Sequence, residues 1–229
     1  MKVMAIAAHP DDIEIFMFGL LSIYKNRKDK LQLVIATDGA AGNVKMFSNI
    51  KETRKKEAYL GLKNLGRPIF LDLSDSKLSQ EKTARFKIEK QINTYKPDLI
   101  ITHAPEDYHK DHRSLSKYVN EVSGFEYPVL YCETLMGLNF TPDFYFDISK
   151  YFNLKKQAIL KHTSQEPSRF FDAVKITNQF RAAQCNYPIG SFAEVYRYDK
   201  RFPFPDIRSL LPNGTVYKPF YINNKDSLL

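Results

Sequence analysis

Six residues in two short clusters carry the chemistry of this chain: His9, Asp11 and Asp12 in Ala8-His9-Pro10-Asp11-Asp12, and His109, Asp111 and His112 in His109-Lys110-Asp111-His112. An imidazole and a carboxylate three residues apart, His9 and Asp12, can grip one metal ion. The intervening Asp11 is then free for acid/base work. His112 supplies a third ligand, and three protein ligands with an open fourth position is the arrangement of a catalytic zinc. His109 and Asp111 read as a supporting pair, the carboxylate fixing the imidazole tautomer and raising its pKa. Zn²⁺ is the expected ion. A site of two histidines and one aspartate with open positions also accepts Fe²⁺.

Both clusters fall where a strand hands over to a helix. The apolar run Val3-Met4-Ala5-Ile6-Ala7 reads as a buried strand, and Ile13 to Lys25 has apolar residues at helical spacing. Pro97-Asp98 announces a second buried strand ending at His103, followed by the loop Ala104-Pro105-Glu106-Asp107-Tyr108 and a helix from about Arg113. In open α/β sheets, ligands bind at the C-terminal ends of strands. The wider pattern predicts strands at about 2–8, 31–37, 68–73, 98–103 and 128–134, and helices at about 13–26, 50–64, 80–95 and 112–123. That alternation implies an α/β, Rossmann-like, mostly parallel sheet with helices on both faces. Beyond Pro142 the expectation is a strand at about 144–148, helices near 150–162 and 168–184, and a final strand at about 191–198. His103, at a strand end, reads as a packed core histidine.

Together these residues resemble the LmbE-like/PIG-L family of zinc-dependent N-acetylsugar deacetylases. Thr37-Asp38-Gly39-Ala40-Ala41-Gly42 is similar to the family's T-x-G-x-x-G loop, and Arg54-Lys55-Lys56-Glu57-Ala58 to its R-x-x-E-A helix. Asp147-Ile148-Ser149 with Lys155, then His162-Thr163-Ser164-Gln165, and the strand Ser191-Phe192-Ala193-Glu194-Val195-Tyr196 continue the likeness over about residues 1–200. One departure is Ile13, where many members carry Glu; here Glu14 follows one position later. The resemblance implies an LmbE-like fold and His9, Asp12 and His112 as zinc ligands. It further implies Asp11 as general base, His109 with Asp111 as a charged pair stabilising the oxyanion, and Arg54 in substrate binding. The reaction it implies is removal of an N-acetyl group from an N-acetylglucosamine-type sugar or glycoconjugate, releasing acetate.

At 229 residues and 43% hydrophobic, one LmbE-like domain over 1–229 is expected. It divides into a Rossmann-like core with the metal site over about 1–140, a segment over about 141–200 covering the pocket, and a tail over 201–229. Cys132 and Cys185, without metal-binding spacing, read as thiols in a reducing compartment. No leader or membrane-spanning run is evident, so the expected location is cytoplasmic. The net charge of +8 gathers partly in Lys25, Arg27, Lys28 and Lys30 and in Lys51, Arg54, Lys55 and Lys56. These clusters read mainly as solvated faces, with no nucleic-acid motif beside them. Expected partners are a small-molecule N-acetylsugar or glycoconjugate, not nucleic acid; peripheral membrane contact and homo-oligomers stay open. Two alternatives stand beside this reading. One is a metal-dependent amidase on a non-sugar N-acyl substrate. The other is a catalytically silent Rossmann-like binding protein, which would be expected to have lost Asp11 or a ligand, and none is missing; a nucleotide-binding protein such as a dehydrogenase would need a Gly-x-Gly-x-x-Gly turn where His-Pro-Asp-Asp stands.

Overall fold

A computed structural model describes residues 1–42 and 47–214. Its strands are β1 (Lys2–Ala7), β2 (Lys30–Thr37), β3 (Ile69–Leu73), β4 (Leu99–His103), β5 (Val129–Cys132), β6 (Phe144–Asp147) and β7 (Ala193–Tyr198). Its helices are α1 (Asp12–Phe16), α2 (Phe18–Asn26), α3 (Ile50–Gly61), α4 (Ala84–Tyr95), α5 (Lys110–Ser123), α6 (Phe152–Ile159) and α7 (Pro167–Gln184). The strands form one sheet in the order β3-β2-β1-β4-β5-β7-β6. β1 to β5 run parallel, while β7 pairs antiparallel with both β5 and β6. The sheet is thus mostly parallel, as the alternating pattern predicts.

Period-two alternation explains why the central strands are apolar throughout. Val3, Ala5 and Ala7 of β1 join one core with Leu20, Tyr24 and Leu33. Met4 and Ile6 join the opposite core with Ile88, Leu115 and Val119. Both faces are covered, so no polar face is left along β1. The chain order reverses between β1 and β4, since β2 and β3 lie on one side and β5 on the other. This is the topological switch point, and the crevice at its C-terminal end is where a ligand fits. Ala5 pairs with Ile101, so the ends of the two strands stand level.

The helix expected over 13–26 is two helices broken at Met17, which has φ −131°. The break is imposed from far away in the chain. The Glu194 carboxylate accepts Gly19 N–H and Leu20 N–H, each at 2.8 Å, and so caps α2 from β7. Gly19 is required by that approach, because a Cβ there would lie 2.4 Å from Ile148 Cγ2 and 2.9 Å from the Glu194 carboxyl carbon. Lys155 completes the arrangement, donating from Nζ to Glu194 at 2.7 Å and to Asn178 at 3.1 Å, all of it buried. Beyond β7, Ile207 and Leu211 return to the core. The part of the expected tail after Gly214 lies outside the described residues.

Candidate active site

Three turns at the C-terminal edge of the sheet build the site. β1 ends at Ala7 and the next residues deliver His9, Asp11 and Asp12; β4 ends at His103 and its loop delivers Asp107, His109 and the first turn of α5; the turn after β3 delivers Asp75. His9, Asp11, Asp12, Asp107, Asp111 and His112 are all buried, each below one-tenth exposure. His9, Asp11, Asp12 and His112 line an open cleft of about 270 Å³ whose walls also include Arg54, Ser76, Tyr108, Leu135, Gln165 and Phe170.

The expected ligand atoms converge. His9 Nδ1 lies 3.2 Å from His112 Nε2, and Asp12 Oδ2 lies 3.3 Å from each of them. Ligands at about 2.0–2.1 Å from a tetrahedral ion are separated by about 3.3 Å, so the three atoms form one face of such a tetrahedron. The second nitrogen of each ring faces a carboxylate at ion-pair distance, and neither makes another hydrogen bond among the described residues. His9 Nε2 lies 3.2 Å from Asp75 Oδ1 and 3.4 Å from Asp111 Oδ2, and His112 Nδ1 lies 3.1 Å from Asp107 Oδ2. Carboxylates that back metal-binding imidazoles in this way orient the ring and raise its basicity. Asp12, Asp75, Asp107 and Asp111 gather around His9 and His112, with Asp11 beside them paired to Arg54, the one guanidinium of the cleft wall among the described residues. The excess negative charge shows in the pKa values. Burial opposes a charged His112, but Asp12 and Asp107 outweigh it and carry the ring up to about 9. His9 follows the same logic: burial opposes, Asp12 leads the carboxylates that prevail, and its pKa stands well above the usual value. Atoms that draw a proton this strongly suit a divalent cation.

His103 is a core histidine that also touches the site. Its Nε2 accepts Ala8 N–H at 3.1 Å, so that lone pair is committed and His103 cannot serve as a ligand through it. The ring stacks on His112 at 3.7 Å between centroids with 13° between planes. Burial, then the neighbouring His112 charge, lowers its pKa to about 4, so it stays neutral.

Asp11 sits in an uncommon backbone conformation, φ 129° and ψ −26°. Arg54 fastens it there: Nη2 donates to Pro10 O at 2.7 Å and to Asp11 Oδ2 at 3.0 Å, and Nη1 donates to Gly39 O at 2.9 Å. Gly39 and Gly42 wrap this guanidinium. A Cβ on Gly39, whose φ is +67°, would lie 2.8 Å from Arg54 Nη1, and one on Gly42 would meet Gln165 Oε1 at 2.7 Å. Burial raises the Asp11 pKa, with Arg54 opposing. Arg54 is therefore occupied by protein acceptors at three points, while still lining the cleft.

One expectation is corrected. Asp111 does not hold the His109 ring. Its carboxylate accepts Ser76 N–H at 2.7 Å and Leu78 N–H at 3.3 Å and faces His9. His109 is the extended N-cap residue before α5 while Asp111 lies in its first turn, and the two side chains take different directions. His109 is the N-cap of α5, its Nδ1 accepting Asp111 N–H at 3.2 Å. That bond puts the ring proton on Nε2. Burial and then the charge of His9 lower the His109 pKa, opposite to the expected rise.

Asp75 and Asp107 were not singled out from the sequence. A usable signal existed for both: each lies in a loop leaving the C-terminal end of a parallel strand. The buried Glu14 pairs with His162 Nε2 at 2.8 Å. Lys51 and Lys55 of the basic cluster are engaged by Asp38 at 2.5 Å and Asp72 at 2.6 Å. Among the described residues, no helix is long and apolar enough to cross a membrane.

A family model described as PIG-L, GlcNAc-PI de-N-acetylase, matches residues 4–123, from β1 to the end of α5. A diacetylchitobiose deacetylase of Thermococcus kodakarensis is 24% identical over 191 residues, covering 72% of this chain and 70% of that protein. The solved N,N'-diacetylchitobiose deacetylase of Pyrococcus horikoshii has a TM-score of 0.76 at 21% identity, covering 92% of this chain and 88% of its own. The 4-carboxy-2-hydroxymuconate hydratase of Pseudomonas putida also has a TM-score of 0.76, at 17% identity over 90% of this chain and 97% of its own. These structures share the fold. A deacetylase and a hydratase on one frame mean that the reaction must be argued from the site.

Proposed function

This chain belongs to the PIG-L family, and from that premise we propose that it is a metal-dependent hydrolase removing the N-acetyl group from an N-acetylglucosamine-type sugar or glycoconjugate. The observation that carries the reading is the triangle of His9 Nδ1, Asp12 Oδ2 and His112 Nε2, with separations of 3.2 to 3.3 Å. These residues would hold the ion, Zn²⁺ or alternatively Fe²⁺. Such an ion, when bound, polarises an amide carbonyl and lowers the pKa of a water from ~15.7 towards ~7.

The chain's own groups divide the remaining work. Asp11, held by Arg54 beside the ligands, takes a proton from the water that attacks the carbonyl carbon. Burial, which raises its pKa, suits it to keep that proton until the C–N bond breaks and the amine accepts it. His109 holds its proton on Nε2 and donates a hydrogen bond to the carbonyl oxygen as negative charge develops there. Asp111 and Asp75 keep the His9 ring turned so that Nδ1 faces the other ligands. Arg54 contributes most by fixing Asp11 and the Gly39 loop, and its side chain forms part of the cleft wall that the sugar would meet. Acetate and a free amino sugar are the products.

A panel of N-acetylated substrates tests this. Metal-restored protein should release acetate from at least one N-acetylglucosaminide and leave N-acetyl amino acids unchanged. Release from the amino acids alone would replace the sugar by another N-acyl substrate and refute the proposal.

A further inference from the structure

Asp107 makes two contacts that different oxygens carry. Oδ1 accepts His109 N–H at 2.8 Å, an Asx-turn that starts α5. Oδ2 is left over from that turn and lies 3.1 Å from His112 Nδ1. The residue is 1% exposed, so the second oxygen is shielded from bulk solvent. Its place is fixed on several sides. Asp107 N donates to Ala104 O at 3.2 Å, and Arg113 Nη1 donates to Asp107 O at 2.7 Å. The preceding residue, Glu106, is ion-paired with Arg197 of β7. A carboxylate fixed at this distance from one ring nitrogen favours the proton on that nitrogen.

We propose that Asp107 is a positioning residue for the metal centre, holding the His112 proton on Nδ1 so that the Nε2 lone pair faces Asp12 and His9. The proposal rests on the reading of His9, Asp12 and His112 as ligands. The stacked His103 fixes the plane of the His112 ring, and Asp107 fixes its tautomer and rotation within that plane. Two histidine ligands in this site then have separate carboxylate partners: Asp107 for His112, and Asp111 with Asp75 for His9. A mere turn-forming role would need only Oδ1.

Asp107→Asn separates the two roles. Its amide oxygen can still accept His109 N–H, but the amide nitrogen then meets His112 Nδ1, donor against donor. Asp107→Ser keeps a turn acceptor and reaches less far. The experiment is a chelator competition for Zn²⁺ on the full chain, with the thermal midpoint of the metal-free protein measured beside it. Both variants are expected to bind Zn²⁺ about 10–100-fold more weakly than wild type, with the metal-free midpoint little changed. Glu106→Gln, which removes a neighbouring charge without touching His112, should change affinity by less than about threefold. Affinities of the Asp107 variants within threefold of wild type, or a loss in Glu106→Gln as large as theirs, overturn the proposal. The zinc-loaded wild type gives a test that needs no variant. In long-range ¹H–¹⁵N spectra His112 should be protonated at Nδ1, and protonation at Nε2 instead overturns the proposal. Failure of the wild type to bind any ion would be the failure of the ligand reading itself.

Discussion

Asp11 occupies φ 129°, ψ −26°, and this strain can be weighed by comparing two variants. For an L-residue that conformation is outside the favoured regions. Its mirror image, about −129°, +26°, borders the allowed bridge region, so glycine reaches it without strain. Asp11→Ala and Asp11→Gly remove the same carboxylate and the same contact to Arg54. They differ only in the Cβ. Strain of this kind costs about 1–3 kcal/mol, and glycine's extra chain entropy offsets about 0.5–1 kcal/mol of the relief. The glycine variant should therefore be the more stable by about 1 kcal/mol, the reverse of the usual order. In a chain of this size that is about 2–4 °C in thermal midpoint, with a matching shift in urea midpoint at equal slope. Both variants should lose nearly all turnover. An alanine variant as stable as the glycine variant, or more so, would show that the backbone at Asp11 is not strained.

Arg54→Lys should lower kcat by about 10²-fold, since a single ammonium cannot replace the three fork contacts that hold Asp11 and the Gly39 loop; near-normal kcat would contradict that role. Gly39→Ala adds a Cβ at positive φ and 2.8 Å from the same guanidinium. A loss of at least about 1–3 kcal/mol in urea unfolding is expected. Burial opposes a charged His162, but Glu14 at 2.8 Å prevails and raises its pKa. Its folded pKa therefore exceeds the unfolded one. Its contribution is fully present below the ordinary histidine range and is lost as pH rises through the raised value. His162→Gln should destabilise the protein more at pH 5.5, below the ordinary histidine value, than at pH 9, and a pH-independent difference refutes the pairing.

The sequence was most readable where local spacing decides the outcome. The apolar run before His9 and the Pro97-Asp98 signal mark β1 and β4. The three-residue step from His9 to Asp12 brings two ligand atoms to 3.3 Å within a single turn of the chain. Contacts made across the fold were not readable. The break at Met17 is set by Glu194 reaching back from β7, and nothing near Met17 announces it. Asp111 was paired with His109 by proximity in sequence, whereas the two side chains take different directions from the N-cap and the first turn of α5. Asp75 became part of the site only because β3 runs parallel to β1 and ends at the same edge. Arg54 was assigned to substrate through resemblance, and its three protein acceptors were visible only once the Gly39 loop had been placed.

The central claim is that one ion held by His9, Asp12 and His112 makes this chain an N-acetylsugar deacetylase. Its most direct test titrates metal-stripped protein with Zn²⁺, counting bound ion and released acetate in the same samples with an N-acetylglucosaminide. Acetate release should be absent without metal and rise in proportion to bound ion until one ion per chain is reached. Release that does not depend on metal, or one tightly bound ion with no release from any N-acetylglucosaminide, would contradict the account.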